Sequence, residues 1–223
     1  MTKQADEALL RLVMAGGALA PRRTLLRAAG SAEAAIAQGA ANWRAHGCTP
    51  EQCAALEHPD ARAWTVARHW LEDDDHHLLS FADAAFPPPL LDVPNPPLAL
   101  FVAGDPSLAW RPSVALVGSR SPTPGGRALA TRFAGCFVEA GLAVTSGLAA
   151  GIDAAAHLAT LEAGGCTVAV IGTGPDRAYP NSHQRLQGRI AAEGAVLSEY
   201  LPGTPARPGN FPARNRLVAG LAL

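Results

Sequence analysis

Val114-Ala115-Leu116-Val117-Gly118-Ser119-Arg120 is a continuous apolar run that closes on glycine, and its shape returns downstream. Leu142-Ala143-Val144-Thr145-Ser146-Gly147 and Thr167-Val168-Ala169-Val170-Ile171-Gly172 repeat it, and Ala195-Val196-Leu197-Ser198-Glu199-Tyr200 is a more polar version. Apolar runs without alternation suit strands buried on both faces, as in a parallel sheet. Helical stretches lie between them, at about 125–140, 151–163 and 181–193. Alternating strands and helices predict an α/β domain over residues 113–223, a Rossmann-like parallel sheet with helices on both faces. Right-handed crossovers bring the strand C-termini to one edge, where ligands bind.

Upstream, the pattern changes twice. From Phe81 to Pro112 prolines dominate, among them Pro87-Pro88-Pro89, Pro94, Pro96-Pro97, Pro106 and Pro112. Residues 81–112 therefore read as an extended connector, with Leu98-Ala99-Leu100-Phe101-Val102 as a candidate strand inside it. Residues 1–80 read as a small all-helical domain. An apolar run from Ala8 stops at Gly16-Gly17, and a second helix starts at Pro21 and ends near Gly30. Ser31 is an N-cap for Ala32 to Ala41, and Thr49-Pro50-Glu51-Gln52 reads as a cap, an N1 proline and an acidic first turn. A last helix, Ala61 to Leu71, carries Trp64 and Trp70 on one face.

Composition narrows the function classes. Hydrophobic residues make up 48% of the 223, which marks a globular chain, and no apolar run reaches the ~20 residues of a membrane helix. The acidic N-terminus has no signal-peptide core, which places the protein in the cytoplasm. The net charge of −1 is unevenly spread. Residues 1–100 hold 8 basic and 12 acidic side chains, and residues 101–223 hold 10 and 7. The acidic first half argues against duplex-DNA binding there. Cys48 and Cys53, with His46 and His58 nearby, and the run Asp73-Asp74-Asp75-His76-His77 offer metal-ligand types. Thiols on helix faces and a solvated charged turn are the preferred readings, so no metal and no cofactor is expected.

Three strands end in glycine-rich turns: Gly118 to Arg127, Ser146 to Asp153, and Gly172-Thr173-Gly174 to Pro180. Glycine lets backbone N–H groups approach an anion, and a following helix N-terminus adds donors and a positive dipole end. Three such turns on one edge predict a wide anion groove. None matches G-x-G-x-x-G at the first strand or G-x-x-x-x-G-K-[ST], which argues against a dinucleotide oxidoreductase and a P-loop NTPase. Asn210-Phe211-Pro212-Ala213-Arg214-Asn215-Arg216 then sets an aromatic among arginines, a pattern that grips single strands. The competing readings are a core Phe211, and Arg214 or Arg216 paired with a strand-end acid.

The ordered set Val117-Gly118-Ser119-Arg120, Ser146-Gly147-Leu148-Ala149-x-Gly151-Ile152-Asp153-x-x-Ala156-His157, Gly172-Thr173-Gly174 with Tyr179-Pro180, Ser198-Glu199-Tyr200 and Phe211-Pro212-x-Arg214-Asn215-Arg216 resembles the DNA-processing protein A family (DprA, also called Smf). The resemblance runs from about Pro97 to Leu223. It implies single-stranded DNA binding in natural transformation, protection of that DNA, loading of the RecA recombinase, a homodimer, and no catalytic residue. It also implies a sterile-alpha-motif-like helical domain, to which residues 1–80 would correspond. By motif match the DNA-binding residues are Gly118, Ser119, Arg120, Ser146, Gly147, Gly151, Gly172, Gly174, Asn210, Phe211, Arg214, Asn215 and Arg216. Asp153, His157, Tyr179 and Glu199 are structural motif positions, with Asp153 and His157 expected to brace the second turn. Ala150 stands where the family often has a basic residue. The family's sheet continues past the position of Leu223, so the chain is expected to be a shortened form that stops inside a helix.

An alternative is a nucleotide-phosphate hydrolase on a related fold, with Glu199 as the best candidate carboxylate. The helical domain could also serve as an interaction domain for another protein.

Overall fold

The computed structural model describes residues 3–223. Six helices come first: α1 (Lys3–Met14), α2 (Leu19–Ala29), α3 (Ala32–Ala37), α4 (Gly39–Ala45), α5 (Pro50–Glu57) and α6 (Ala61–Trp70). Their boundaries follow local chemistry. Gly30 ends α2 in the left-handed conformation at φ +79°, which glycine adopts without strain. Thr49 and Gln52 close a reciprocal capping box at the start of α5. Two boundaries differ from the sequence reading. α2 begins at Leu19, so Pro21 lies inside its first turn rather than at its start. The helix capped by Ser31 breaks after Ala37, where Gly39 turns the chain at φ +75° into α4.

The sheet has six strands in the order β1-β2-β6-β5-β4-β3. These are β1 (His76–Ser80), β2 (Ala99–Gly104), β3 (Ser113–Ala115), β4 (Ala143–Ser146), β5 (Thr167–Val170) and β6 (Ala195–Ser198). β3, β4, β5 and β6 are parallel, as the apolar runs imply. β1 and β2 extend the sheet antiparallel, β2 against β6 and β1 against β2. The sheet is thus mixed, not wholly parallel. The end of the segment read as helical and the core of the proline-rich connector are both strands. The reason lies in β2: its six residues, Ala-Leu-Phe-Val-Ala-Gly, are all buried, and burial on both faces outweighs the prolines on either side.

Helices α7 (Pro124–Glu139), α8 (Ile152–Glu162) and α9 (Gln184–Glu193) connect the parallel strands in sequence. Right-handed crossovers between neighbouring strands set all three on one face. There Val144 packs with Ala134, Ala156 and Ala159. Successive side chains on a strand point oppositely. Thr145 therefore faces the other way, where its hydroxyl meets Ser113, and Ser113 in turn donates to the Leu221 carbonyl of α10 (Asn210–Leu221). α10 ends at Leu221, and Ala222 is extended and bridges to Ser113 in parallel.

The helical segment is bound tightly to the sheet. The Trp70 ring stacks on His76 at 3.9 Å, and the His76 Nδ1–H donates to the Trp70 carbonyl at 2.7 Å. Arg23 places its guanidinium 4.4 Å from the Phe81 ring centre and donates to the Pro97 carbonyl at 2.7 Å. One hydrophobic cluster runs from Leu9, Leu12 and Leu26 to Phe101 and Leu197. Cys48 and Cys53 are buried within the helical part of it.

Candidate nucleic-acid interface

The parallel strands end on one edge, and a cleft of about 630 Å³ opens there between the first turn and the start of α10. Gly118, Arg120, Ala149, Asp153, Tyr179, Phe211, Arg214 and Asn215 are among its lining residues. A second lobe of about 290 Å³ shares Arg120, Ala149, Tyr179, Phe211 and Arg214 with it and extends to Gly147, Ala150, Pro180 and Asn181.

The glycines set the spacing of this edge. A Cβ at Gly118 would stand 2.8 Å from Ile152, and one at Gly172 would stand 3.0 Å from the Phe211 ring. A Cβ at Gly147 would meet the Arg214 guanidinium at 2.5 Å, and one at Gly151 would strike the Ser119 carbonyl. The glycines thus let α8, α10 and the first turn close onto the strand ends. Their role as free anion donors needs correction. Asp153, buried, accepts from the N–H groups of Gly147 and Ala149 through Oδ2 (3.1 and 3.4 Å) and from Gly118 through Oδ1 (3.4 Å). Gly174 is buried and donates to the Thr204 carbonyl at 2.9 Å. Gly172 is buried, and its carbonyl accepts from the Asn210 side chain at 2.9 Å. Ser146 is buried and donates to the Leu116 carbonyl. The glycine end of the third turn is therefore packed inward, while its far end, Tyr179-Pro180, lines the cleft together with the first two turns and α10.

Donors remain where α8 begins. Gly151 is its N-cap and supplies no side-chain cap. Among the described residues, no acceptor takes the N–H groups of Ser119, Arg120, Ala150 or Gly151. The α8 amides of Ile152 and Ala154 are taken by the Ser119 and Ala149 carbonyls, so these free donors belong to the first two turns, beside the positive end of the helix.

The arginines separate sharply. Arg120 is exposed, with its guanidinium 5.6 Å from the Phe211 ring centre. Tyr179, 45% exposed, tilts against Phe211 at 5.0 Å between ring centres. Arg214, in contrast, is 4% exposed and lies beneath this group. It donates through one nitrogen to the carbonyls of Gly147 (2.6 Å) and Val170, while its Nε has no partner. Burial lowers its pKa, and the nearby Asp153 carboxylate opposes that shift. Arg216 is paired in two contacts of 2.6 Å with Glu199 and also donates to Pro94 and Asn95 carbonyls. The assignment of both arginines to an exposed phosphate rim is therefore corrected: one is an internal strut and the other a neutralised ion pair. Asn215 is exposed and lines the cleft.

Of the four structural motif positions, Asp153 ties the first two turns together, and Glu199 holds Arg216. His157 does not reach the second turn. It is fully buried and bonds Thr167 Oγ1 at 2.7 Å. Thr167 already donates to Val144, so the His157 Nδ1 carries the proton and its Nε2 is left bare. Tyr179, read as structural, lies in the cleft wall. His183 was missed: its Nδ1–H donates at 3.0 Å to the carbonyl of Leu148, a residue held at φ +59° in the second turn. No helix among the described residues is long and apolar enough to cross a membrane.

A family model described as DNA recombination-mediator protein A matches residues 77–223. Protein Smf of Synechocystis is 44% identical over 144 residues, which cover 63% of this chain and 36% of that protein. The chain spans about a third to just over half the length of such curated relatives. The X-ray structure of DNA processing protein A from Streptococcus pneumoniae aligns with 96% of this chain and 74% of its own, at TM-score 0.80 and 32% identity. A structure of DNA processing protein A from Helicobacter pylori, concerned with its single-stranded DNA binding mode, aligns with 66% of each chain at TM-score 0.59 and 32% identity.

Proposed function

We propose, from the premise that this chain belongs to the DNA recombination-mediator protein A family, that its strand-end cleft binds single-stranded DNA. The observation that carries this reading is the grouping of an exposed Arg120 with the Phe211–Tyr179 aromatic pair beside the unpaired amides of Ala150 and Gly151 ahead of α8. An aromatic surface accepts any unstacked base, while a guanidinium and free amides hold the phosphate, so affinity is nearly independent of sequence. The likeness to the Helicobacter pylori protein supports the same ligand.

The site binds without turnover. Glu199, the carboxylate a nucleotide hydrolase would use, is bound to Arg216 at 2.6 Å, and Asp153 is occupied by three backbone amides. In line with that family, the proposal extends to protection of incoming DNA, delivery to the RecA recombinase, action as a homodimer and a cytoplasmic location.

Fluorescence anisotropy with labelled single-stranded oligonucleotides tests the reading. Binding should be alike for unrelated sequences, weaken with salt and weaken in Arg120→Ala. An unchanged Arg120→Ala titration, or release of free base from nucleoside monophosphates, would remove it.

A further inference from the structure

The two lobes of the cleft, about 630 and 290 Å³, fall in the size range of small-molecule sites, and both are centred on Arg120, Phe211, Tyr179 and Arg214. Deepening the single-strand reading, on which it rests, we infer that the unit of recognition is one nucleotide, base and phosphate together. Free nucleoside monophosphates then occupy the cleft and compete with the strand.

Three observations support this. First, the Arg120 guanidinium lies over the Phe211 ring and occupies the aromatic surface that a base would take. A base entering there displaces the guanidinium, which then needs an anion. Second, the phosphate on the sugar of that same base supplies it, next to the unpaired amides of Arg120 and Ala150, which line the lobes. Third, the buried Arg214 lines both lobes, and among the described residues its guanidinium makes hydrogen bonds through one terminal nitrogen alone, which leaves its charge at the wall of the site. A nucleoside alone removes Arg120 from its ring without replacing the lost contact. Inorganic phosphate alone gains Arg120 but leaves the aromatic pair unused. Only the joined ligand satisfies both.

The test uses the full chain with a labelled oligonucleotide bound. Deoxyadenosine 5′-monophosphate, deoxyadenosine and inorganic phosphate are titrated as competitors at matched ionic strength, because salt itself displaces polyanions. The monophosphate should displace the strand at about millimolar concentration, and each half should need at least roughly tenfold more. Calorimetry of the monophosphate without DNA should show the same affinity, reduced at least roughly threefold by Arg120→Ala. Phosphate competing as well as the nucleotide would mean that charge alone is read, and would overturn the inference. So would a strand that binds but resists the monophosphate, an outcome that leaves single-strand binding standing. Should the strand itself fail to bind, single-strand binding falls, and the calorimetric titration still decides whether a nucleotide fits.

Discussion

The first turn, Gly118 to Gly126, and the segment Asn210 to Arg216 face each other across one cleft, and both carry arginine. Their arginines differ in what remains for a ligand. Arg120 projects into solvent beside Phe211, while Arg214 donates inward to Gly147 and Val170 and Arg216 is held by Glu199. The same side chain is therefore an anion receptor in one place and a structural member in the other. Partner geometry decides between the two, since a guanidinium whose donors are used on buried carbonyls has little left for a phosphate.

The largest effect should come from breaking the inward arginine. Arg214→Ala leaves the Gly147 and Val170 carbonyls without their donor in a buried site, at a cost of about 3 kcal/mol of folding stability. Urea unfolding measures it. A variant that unfolds like the parent but binds DNA poorly would show Arg214 to be a receptor after all, and would erase the contrast.

Arg120→Ala should do the reverse. Losing a charge-assisted contact to phosphate weakens single-strand binding by about 2 kcal/mol, roughly thirtyfold, with unfolding unchanged. The slope of log affinity against log salt should fall by about 0.7, the contribution of one phosphate on a single strand. A stability loss equal to that of Arg214→Ala would place both residues in one structural class.

The two regions also differ in how much the sequence disclosed. The four parallel strands were legible because each is an unbroken apolar run ending in glycine or serine. β1 was obscured by its His76-His77 start after three acids, while β2 was legible as the candidate strand Leu98 to Val102 but not in its antiparallel place beside β6. Antiparallel addition to a sheet edge is set by distant pairing, which local pattern does not encode. At the site, the family resemblance put Arg120 and Phe211 among the DNA-binding positions but did not separate an outward Arg120 from an inward Arg214. The signal was present in Gly147, whose missing Cβ makes room for a side chain and not for an anion. Tyr179 could have been placed in the wall by the rule that strand C-termini share one edge, since it lies in the third strand's turn.

Beneath both regions lies His157, which sharpens the contrast through pH. Burial, then the charge of Arg214, lower its pKa to about 3. Below the unfolded value near 6.5, the unfolded chain takes up a proton that the folded chain refuses. Stability therefore falls as pH falls below about 6.5, with a slope approaching about 1.4 kcal/mol per pH unit. His157→Gln carries no such proton and should show a shallower loss between pH 7 and pH 5 in urea titrations, whatever its stability at pH 7. An identical slope would assign the acid sensitivity to other groups.

The smallest effect should come from Arg120→Lys, which separates the two things Arg120 does in the first turn. Lysine keeps a positive charge within reach of a phosphate but loses the planar face that lies over Phe211. Stability and the salt slope should both stay at parental values, because the number of phosphates neutralised is the same. Affinity should still fall by about 0.5–1 kcal/mol, the magnitude of an exposed cation–π contact. If the substitution lowers the salt slope as Arg120→Ala does, the planar fork itself is needed to engage the phosphate. If it changes nothing, the arrangement of Arg120 over Phe211 is a resting position only, and the first turn acts by charge alone.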